Sequence, residues 1–470
     1  MKRISILILA GLLGGCAVGP DYARPAMDVP SAFKESKGWK AAEPRDDELG
    51  GRWWEIYNDP LLDALIARID ISNQNLAKAA ATYRQAAALV RTARAAYFPA
   101  VGADASATRS AGSLNRSGTT GSSSATTIYA LGLNASWEPD LWGRVQRTVE
   151  SNQAGAQASA ADLQAVRLSA QAALAQDYWL LRVLDAQTGL LRDTVAAYQR
   201  SLQLTLNQYA VGVVSKADVI QAQTQTKAAQ AQLLDIGVQR AQTEHAIALL
   251  VGQPASTFAI APAALAAKVP DIPVGIPSSL LERRPDIGAA ERRAAAANAQ
   301  IGVARAAYFP ALTLTASDGF QSSSLANLLT APSRVWSLGP ALAQTLFDGG
   351  ARRAQTEQAI AGYDASVAAY KQAVLTGFQE VEDNLAALRI LEQEAQVQDE
   401  TVRSARHAVT LMLNQYKAGL VSYTSVATVQ TTLLGAENTA LGILNRRMAA
   451  SVKLIVALGG GWDSPSHLIP

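Results

Sequence analysis

Two hydrophobic periods alternate along this 470-residue chain. Ile360, Val367, Val374, Val381, Leu388, Ala395, Val402, Val409 and Tyr416 recur at strict seven-residue spacing, and all nine are apolar or aromatic. Leu181, Thr188, Val195, Leu202 and Tyr209 keep the same register 207 positions earlier. A sustained heptad predicts helices that supercoil left-handedly on their neighbours. At 1.5 Å per residue the second seam alone is about 84 Å long. Proline costs about 3 kcal/mol in a helix interior. None of the 18 prolines falls within 140–253 or 341–464, so both stretches can hold very long helices.

The other period is two. Val101, Ala103, Ala105 and Ala107 alternate with Gly102, Asp104, Ser106 and Thr108. Tyr129, Leu131, Leu133, Ala135 and Trp137 alternate with Ala130, Gly132, Asn134, Ser136 and Glu138. Leu312, Leu314 and Ala316 alternate with Thr313, Thr315 and Ser317, and Trp336, Leu338 and Leu342 with Ser337, Gly339 and Ala343. Segments of about ten residues with this pattern predict four strands. Ser-, Gly- and Thr-rich stretches connect each pair. Four strands do not close a barrel, and an open sheet in lipid leaves main-chain amides unpaired. Two copies would supply eight strands and three would supply twelve; the periodicity does not choose. A β-domain outside any bilayer is the alternative.

The chain is built twice. ARAAYFPA occurs at Ala93–Ala100 and again at Ala304–Ala311, and LNQY recurs at 206–209 and 413–416. Each YFP marks a change from helix to strand, because proline disfavours helix at the residue before it. Gly212 and Gly419 follow the LNQY segments, where left-handed helix ends sit, and Ser215 and Ser422 are placed to cap the returning helices. Each half therefore holds a hairpin of long helices with a tight tip near 210–215 or 417–422.

The first residues, MKRISILILAGLLGGC, place two cations before a short apolar run and small residues, the layout of a secretory signal. The run is too short to span a bilayer as a helix. LGGC resembles a bacterial lipobox, which implies cleavage before Cys16 and attachment of diacylglycerol and an N-acyl chain to it. Cys16 is the sole cysteine, so no intramolecular disulfide forms. Ala17 after it favours sorting to the outer membrane. Charge is balanced, 41 Lys and Arg against 39 Asp and Glu, with no basic stripe of the kind that binds nucleic acid.

Several of these segments resemble the TolC-like outer membrane factors, and among them the lipoprotein (OprM-like, NodT-type) branch of tripartite efflux systems. They are CAVGPDYARP after the lipobox, LLERRPDIGAAERRAAAANAQIGVARAAYFP (280–310), FDGG (347–350), LNQYKAGLVSY and ALGGGW (457–462). The resemblance covers essentially the whole chain. It implies a long antiparallel α-helical coiled-coil barrel continuous with a 12-stranded transmembrane β-barrel, formed by a homotrimer giving four strands per chain. It implies a periplasmic adaptor and an inner-membrane transporter of the RND type as partners, passive exit of small molecules, and no cofactor. The expected organisation is a signal peptide (1–16), a tether and equatorial segment (17–60), a first repeat (61–270) and a second (271–470). The first repeat takes helices at about 61–97, strands at 98–110 and 126–138, a long helix at 142–210 and a return helix at 216–250. The second takes a helix at 285–308, strands at 309–320 and 335–347, a long helix at 349–417 and a return helix at 421–457. An equatorial segment, 458–470, ends it.

Carried over by position, a periplasmic aperture falls at the two tips, with Asp218, Leu420, Ser422 and Tyr423 as its candidate residues. No carboxylate lies between Tyr416 and Val429, so a weakly charged constriction narrowed by Leu420 or Tyr423 is expected. An exit duct for type I protein secretion and a lipid-tethered periplasmic spacer without a pore are the alternatives. His245, His407 and His467 have no metal-site spacing, and no nucleophile elbow, phosphate loop or dinucleotide fingerprint is present. The charged cluster Arg283, Arg284, Asp286, Glu291, Arg292 and Arg293 is read as helix-start electrostatics and surface ion pairs.

Overall fold

The computed structural model describes residues 17–36, 52–111, 125–265, 268–270, 272 and 283–460. Cys16 and most of the expected C-terminal equatorial segment lie outside the described residues. Among those described, seven α-helices and four strands follow one another in this chain order: α1 (Pro60–Ser72), α2 (Gln74–Ala95), β1 (Ala100–Ser110), β2 (Thr126–Trp137), α3 (Arg144–Ala210), α4 (Lys216–Leu250), α5 (Pro285–Ala306), β3 (Ala311–Ser322), β4 (Arg334–Ala343), α6 (Ala351–Lys417) and α7 (Tyr423–Ala457). The duplication is visible in the lengths. Both α3 and α6 have 67 residues, and both α4 and α7 have 35. At 67 residues, each long helix runs about 100 Å. β4 ends at Ala343 rather than continuing to 347, and Asp348 then starts α6.

Two compact units make up the chain. One comprises 1–26, 82–159 and 289–370 and holds the sheet; the other comprises 27–81, 160–288 and 371–470. In the first, the strands pair antiparallel in the order β1-β2-β3-β4. Residues 17–24 lie against the start of α3 and against α5. Arg147 binds Asp21, Glu150 and the Val18 and Gly19 carbonyls, and Asn298 donates to Pro20 O at 3.0 Å. Glu291 makes the expected ion pair with Arg292, yet it is buried and also accepts the Tyr22 hydroxyl at 2.6 Å, which anchors the tether.

The second unit carries the main core. Trp53, Leu62, Ile66 and Ile69 pack with Leu174, Tyr178, Leu181, Val381, Leu385, Met448, Val452 and Leu454. Full burial of such a side chain contributes about 1.5–3 kcal/mol. Asp59 caps α1 through Leu61 N and Leu62 N, with Pro60 at the first helical position, and its other oxygen accepts the Tyr178 hydroxyl at 2.5 Å. Asn73 ends α1 and starts α2, since its Oδ1 accepts Leu76 N while its Nδ2 donates to Leu250 O. The heptad seam of α6 is buried at Val374, Val381, Leu388, Val402 and Tyr416, whereas Ile360 is exposed.

Candidate channel elements

The register puts the period-two faces in line across the sheet. Val101 pairs with Ala135 and Ala103 with Leu133; Trp137 pairs with Leu314, Ala316 with Leu338 and Leu312 with Leu342. One face is therefore apolar and the other carries Gly102, Asp104, Asn134, Ser317 and Ser337. The apolar face is exposed within the chain: Trp336 is 72% exposed and Leu338 75%. β1 and β4 are the two edges, each with one side unpaired within the chain. Gly319 crosses at close quarters, since a Cβ there would lie 2.5 Å from Leu131 O.

Aromatic groups mark the end of the sheet that adjoins the helices. The Trp137 indole donates to Tyr97 O at 3.0 Å, and the Trp142 indole donates to Pro310 O at 2.8 Å and stacks on Phe309. Both helices that leave the sheet start alike. Asp140 accepts Val145 N and Gln146 N, and Asp348 accepts Gly350 N and Arg352 N. The Arg352 guanidinium, then these backbone N–H groups, hold Asp348 below the usual carboxylate range.

The tips belong to the other unit. Gly212 and Gly419 take φ of 79° and 73°. Gly212 N donates to Tyr209 O and Val213 N to Gln208 O, and Gly419 N and Leu420 N repeat this with Tyr416 O and Gln415 O. Asp218 does not project freely: it closes a capping box with Ser215, accepting both its N–H and its hydroxyl. The equivalent position 207 residues on is Ser425, so Ser422 stands at its helix start without a side-chain cap. Leu420 is 75% exposed at its turn.

Tyr423, the other residue expected at the constriction, is placed differently from Leu420. It is fully buried with Tyr416, Ala222, Val426 and Ala427, and its hydroxyl donates to Gln225 Oε1 at 2.9 Å. An aromatic ring at the start of α7 faces the opposite hairpin, where it finds both apolar contact and a hydrogen-bond partner. From Gln225 the polar chain continues through Gln430 to Ser201, and Thr205 meets the Tyr416 hydroxyl at 2.9 Å. These bonds tie the two hairpins together. Burial pushes the Tyr416 and Tyr423 phenols upward, so the network stays uncharged at neutral pH. Sequence reasoning missed Thr205, Gln225 and Gln430, whose only sign was a polar residue at an otherwise apolar helix position. It missed also Val211 and Val213, which are exposed beside Gly212.

A third cluster lies where the chain leaves α4. The Asp185 side chain is 3% exposed and binds Arg182 at 3.1 Å and Arg240 at 2.7 Å. The two guanidinium groups also donate to Ala261 O and Ile260 O, and Asp185 accepts Ala263 N. Elsewhere in this unit a cavity of about 540 Å³ is lined by Gln176, Arg284, Asp286, Glu380 and Lys453. Arg284 is held there by Asp286, Glu380 and the Ala457 carbonyl. Among the described residues no group of His, Cys, Asp and Glu has the arrangement of a metal site.

The model of the family described as outer membrane efflux protein matches residues 65–253 and 276–460. The probable efflux pump outer membrane protein TtgC of Pseudomonas putida is 31% identical over 98% of this chain and 95% of its own. The pyoverdine export outer membrane protein OpmQ of Pseudomonas aeruginosa is 31% identical over 99% and 98%. The solved outer-membrane channel OprN superimposes with a TM-score of 0.89 at 30% identity, covering 96% of this chain and all of that one. The Campylobacter jejuni CmeC outer membrane channel, at 23% identity and a TM-score of 0.89, shares the fold. Long helices joined to a four-stranded sheet are thus the TolC-like channel fold. The chain belongs to the outer membrane efflux protein family, whose members are passive outer-membrane channels and not enzymes.

Proposed function

We propose that three copies of this chain form one exit channel for small molecules, fed by a periplasmic adaptor and an inner-membrane transporter of the RND type. The supporting observation is the sheet: an apolar exposed face, a polar opposite face and two unpaired edges. No helix among the described residues is long and apolar enough to cross a membrane. The exposed apolar face makes the sheet a surface suited to lipid. Its edges need partners there, because an unpaired amide in hydrocarbon costs several kcal/mol. Three four-stranded sheets give twelve strands, enough for a closed barrel, and the likeness to solved outer-membrane channels supports that number over two. The acyl groups of Cys16 would hold each copy to the membrane, as its lipobox-like sequence implies.

The tips are the proposed aperture. Leu420 projects from its turn and Asp218 is occupied as a cap, which supports a constriction lined by apolar groups. Leu420→Ala is expected to raise single-channel conductance in planar bilayers while the oligomer stays intact. An unchanged conductance would remove Leu420 from the constriction. Relatives of similar identity carry names that refer to toluene, solvents and pyoverdine. That spread supports a duct whose cargo is chosen by its partners.

A further inference from the structure

The two ends of the sheet differ in charge. At the end adjoining the helices, Glu138 pairs with Arg144 and Asp348 with Arg352, and Asp140 caps α3 through main-chain N–H groups. The far end is basic. Arg109 is next to last in β1 and Arg334 opens β4. The segment 111–125 between β1 and β2 contains one charge, Arg116, and the segment 323–333 between β3 and β4 contains none. Against these three cations stand two carboxylates: Asp318 of β3 on the apolar face and, one row further out on the polar face, Asp104, which accepts Asn134 Nδ2 at 3.1 Å.

By strand alternation Arg109 shares the apolar face with Val101, Ala103, Ala105 and Ala107, and Arg334 shares it with Trp336, Leu338 and Leu342. Asp318 is on this face too, paired across to Leu133 and Trp336. Arg334 Nε reaches Asp318 Oδ1 at 2.9 Å and Nη2 reaches Oδ2 at 3.3 Å. A guanidinium has five N–H donors, so both Nη1 hydrogens of Arg334 and one on Nη2 remain for a further acceptor. Arg109 makes no ion pair with another described residue. A bare guanidinium on a lipid-facing strand is disfavoured at the midplane and tolerated near the interface, where it meets headgroups.

We propose that Arg109 and Arg334 form a binding site for the phosphates of a phosphorylated glycolipid, of the lipid A type, in the outer leaflet. The inference rests on the channel reading, which directs the helix-bearing end of the sheet to the periplasm and the basic end outward. In a barrel closed edge to edge, β1 of one copy adjoins β4 of the next. Arg109 and Arg334 then fall at the same end of one seam, both on the lipid face. The site would be repeated at every seam. Guanidinium groups bind phosphate oxygens through paired, charge-assisted hydrogen bonds. Trp336 and Phe320 beside them suit the interfacial zone.

The test uses the purified full-length oligomer in mild detergent and measures binding of bis-phosphorylated lipid A, dephosphorylated lipid A and phosphatidylglycerol. Bis-phosphorylated lipid A should bind at least about tenfold more tightly than either other lipid, the gain expected from one charge-assisted contact. The triple variant Arg109→Gln, Asp318→Asn, Arg334→Gln removes the cations without stranding the carboxylate. It should lose that preference and keep the oligomer and the conductance. Equal binding of the phosphorylated and dephosphorylated forms overturns the site, as does equal binding of phosphatidylglycerol or a preference retained by the variant. Discrete conductance with no phosphate preference defeats the lipid site alone. Absence of conductance with the preference intact defeats the channel reading instead.

Discussion

Replacing Asp185 with Ala is expected to destabilise the helical unit by about 3–5 kcal/mol, the cost of leaving buried charge without its counter-ion. The Asp185 side chain is 3% exposed and sits between the side chains of Arg182 at 7% and Arg240 at 17%. Removing it leaves two largely buried guanidinium groups facing each other across the vacated site. Their remaining acceptors are the Ala261 and Ile260 carbonyls and Glu244. The carboxylate also accepts Ala263 N, so the strap that follows α4 loses its anchor. Denaturant unfolding followed by far-ultraviolet circular dichroism measures the loss. Asp185→Asn, which keeps the shape and one acceptor, should fall between the two. A wild-type midpoint for Asp185→Ala would show that water reaches the cluster and solvates both arginines.

The second large effect contrasts two glycines with one backbone conformation. Gly252 and Gly212 have φ of 68° and 79°. An alanine in this region costs about 1–2 kcal/mol from its own backbone. A Cβ on Gly212 would meet nothing within 4 Å, whereas a Cβ on Gly252 would lie 2.1 Å from Ser72 O. That oxygen cannot retreat easily. Ser72 Oγ donates to Val251 O at 2.6 Å and Asn73 Nδ2 to Leu250 O at 2.8 Å, so the ends of α1 and α4 are locked together. Gly252→Ala should therefore cost about 1–3 kcal/mol more than Gly212→Ala, the range for forcing extra atoms into packed surroundings. Equal losses in thermal unfolding would mean that the junction of α1 and α4 yields freely.

The long-range plan was legible because it rests on repeated, one-dimensional signals. The heptads, the absence of proline and the doubled ARAAYFPA and LNQY segments each report on helix or strand without reference to distant neighbours. The resemblance then supplied the family. The tips were legible as turns from Gly212 and Gly419, yet not in the roles of their side chains. Tyr423 looks like a loop residue in sequence. Its burial depends on Gln225 and Ala222, about 200 positions away, and no local pattern links them. Asp185 was hidden for the same reason, being one carboxylate among many on a helix until the strap at 260–263 closes over it. The burial of Glu291 in its pair with Arg292 was hidden because its second partner, Tyr22, lies 269 residues before it. The duplication also misleads at this level. Tyr209 and Tyr416 occupy equivalent positions, but the first is 44% exposed and the second 2%.

The central claim is that each sheet is completed only by sister copies, β1 against β4. Cysteine pairs placed one on β1 and one on β4, such as Ala105→Cys with Leu338→Cys and neighbours two residues either side, test it in native membranes. Only residues whose Cα atoms come within about 7 Å form a disulfide. After mild oxidation, at least one pair should give a denaturing-gel ladder of one, two and three chains that stops at three, while the single-cysteine controls give none. A ladder that stops at two chains, or no bond between chains for any pair, would contradict the account.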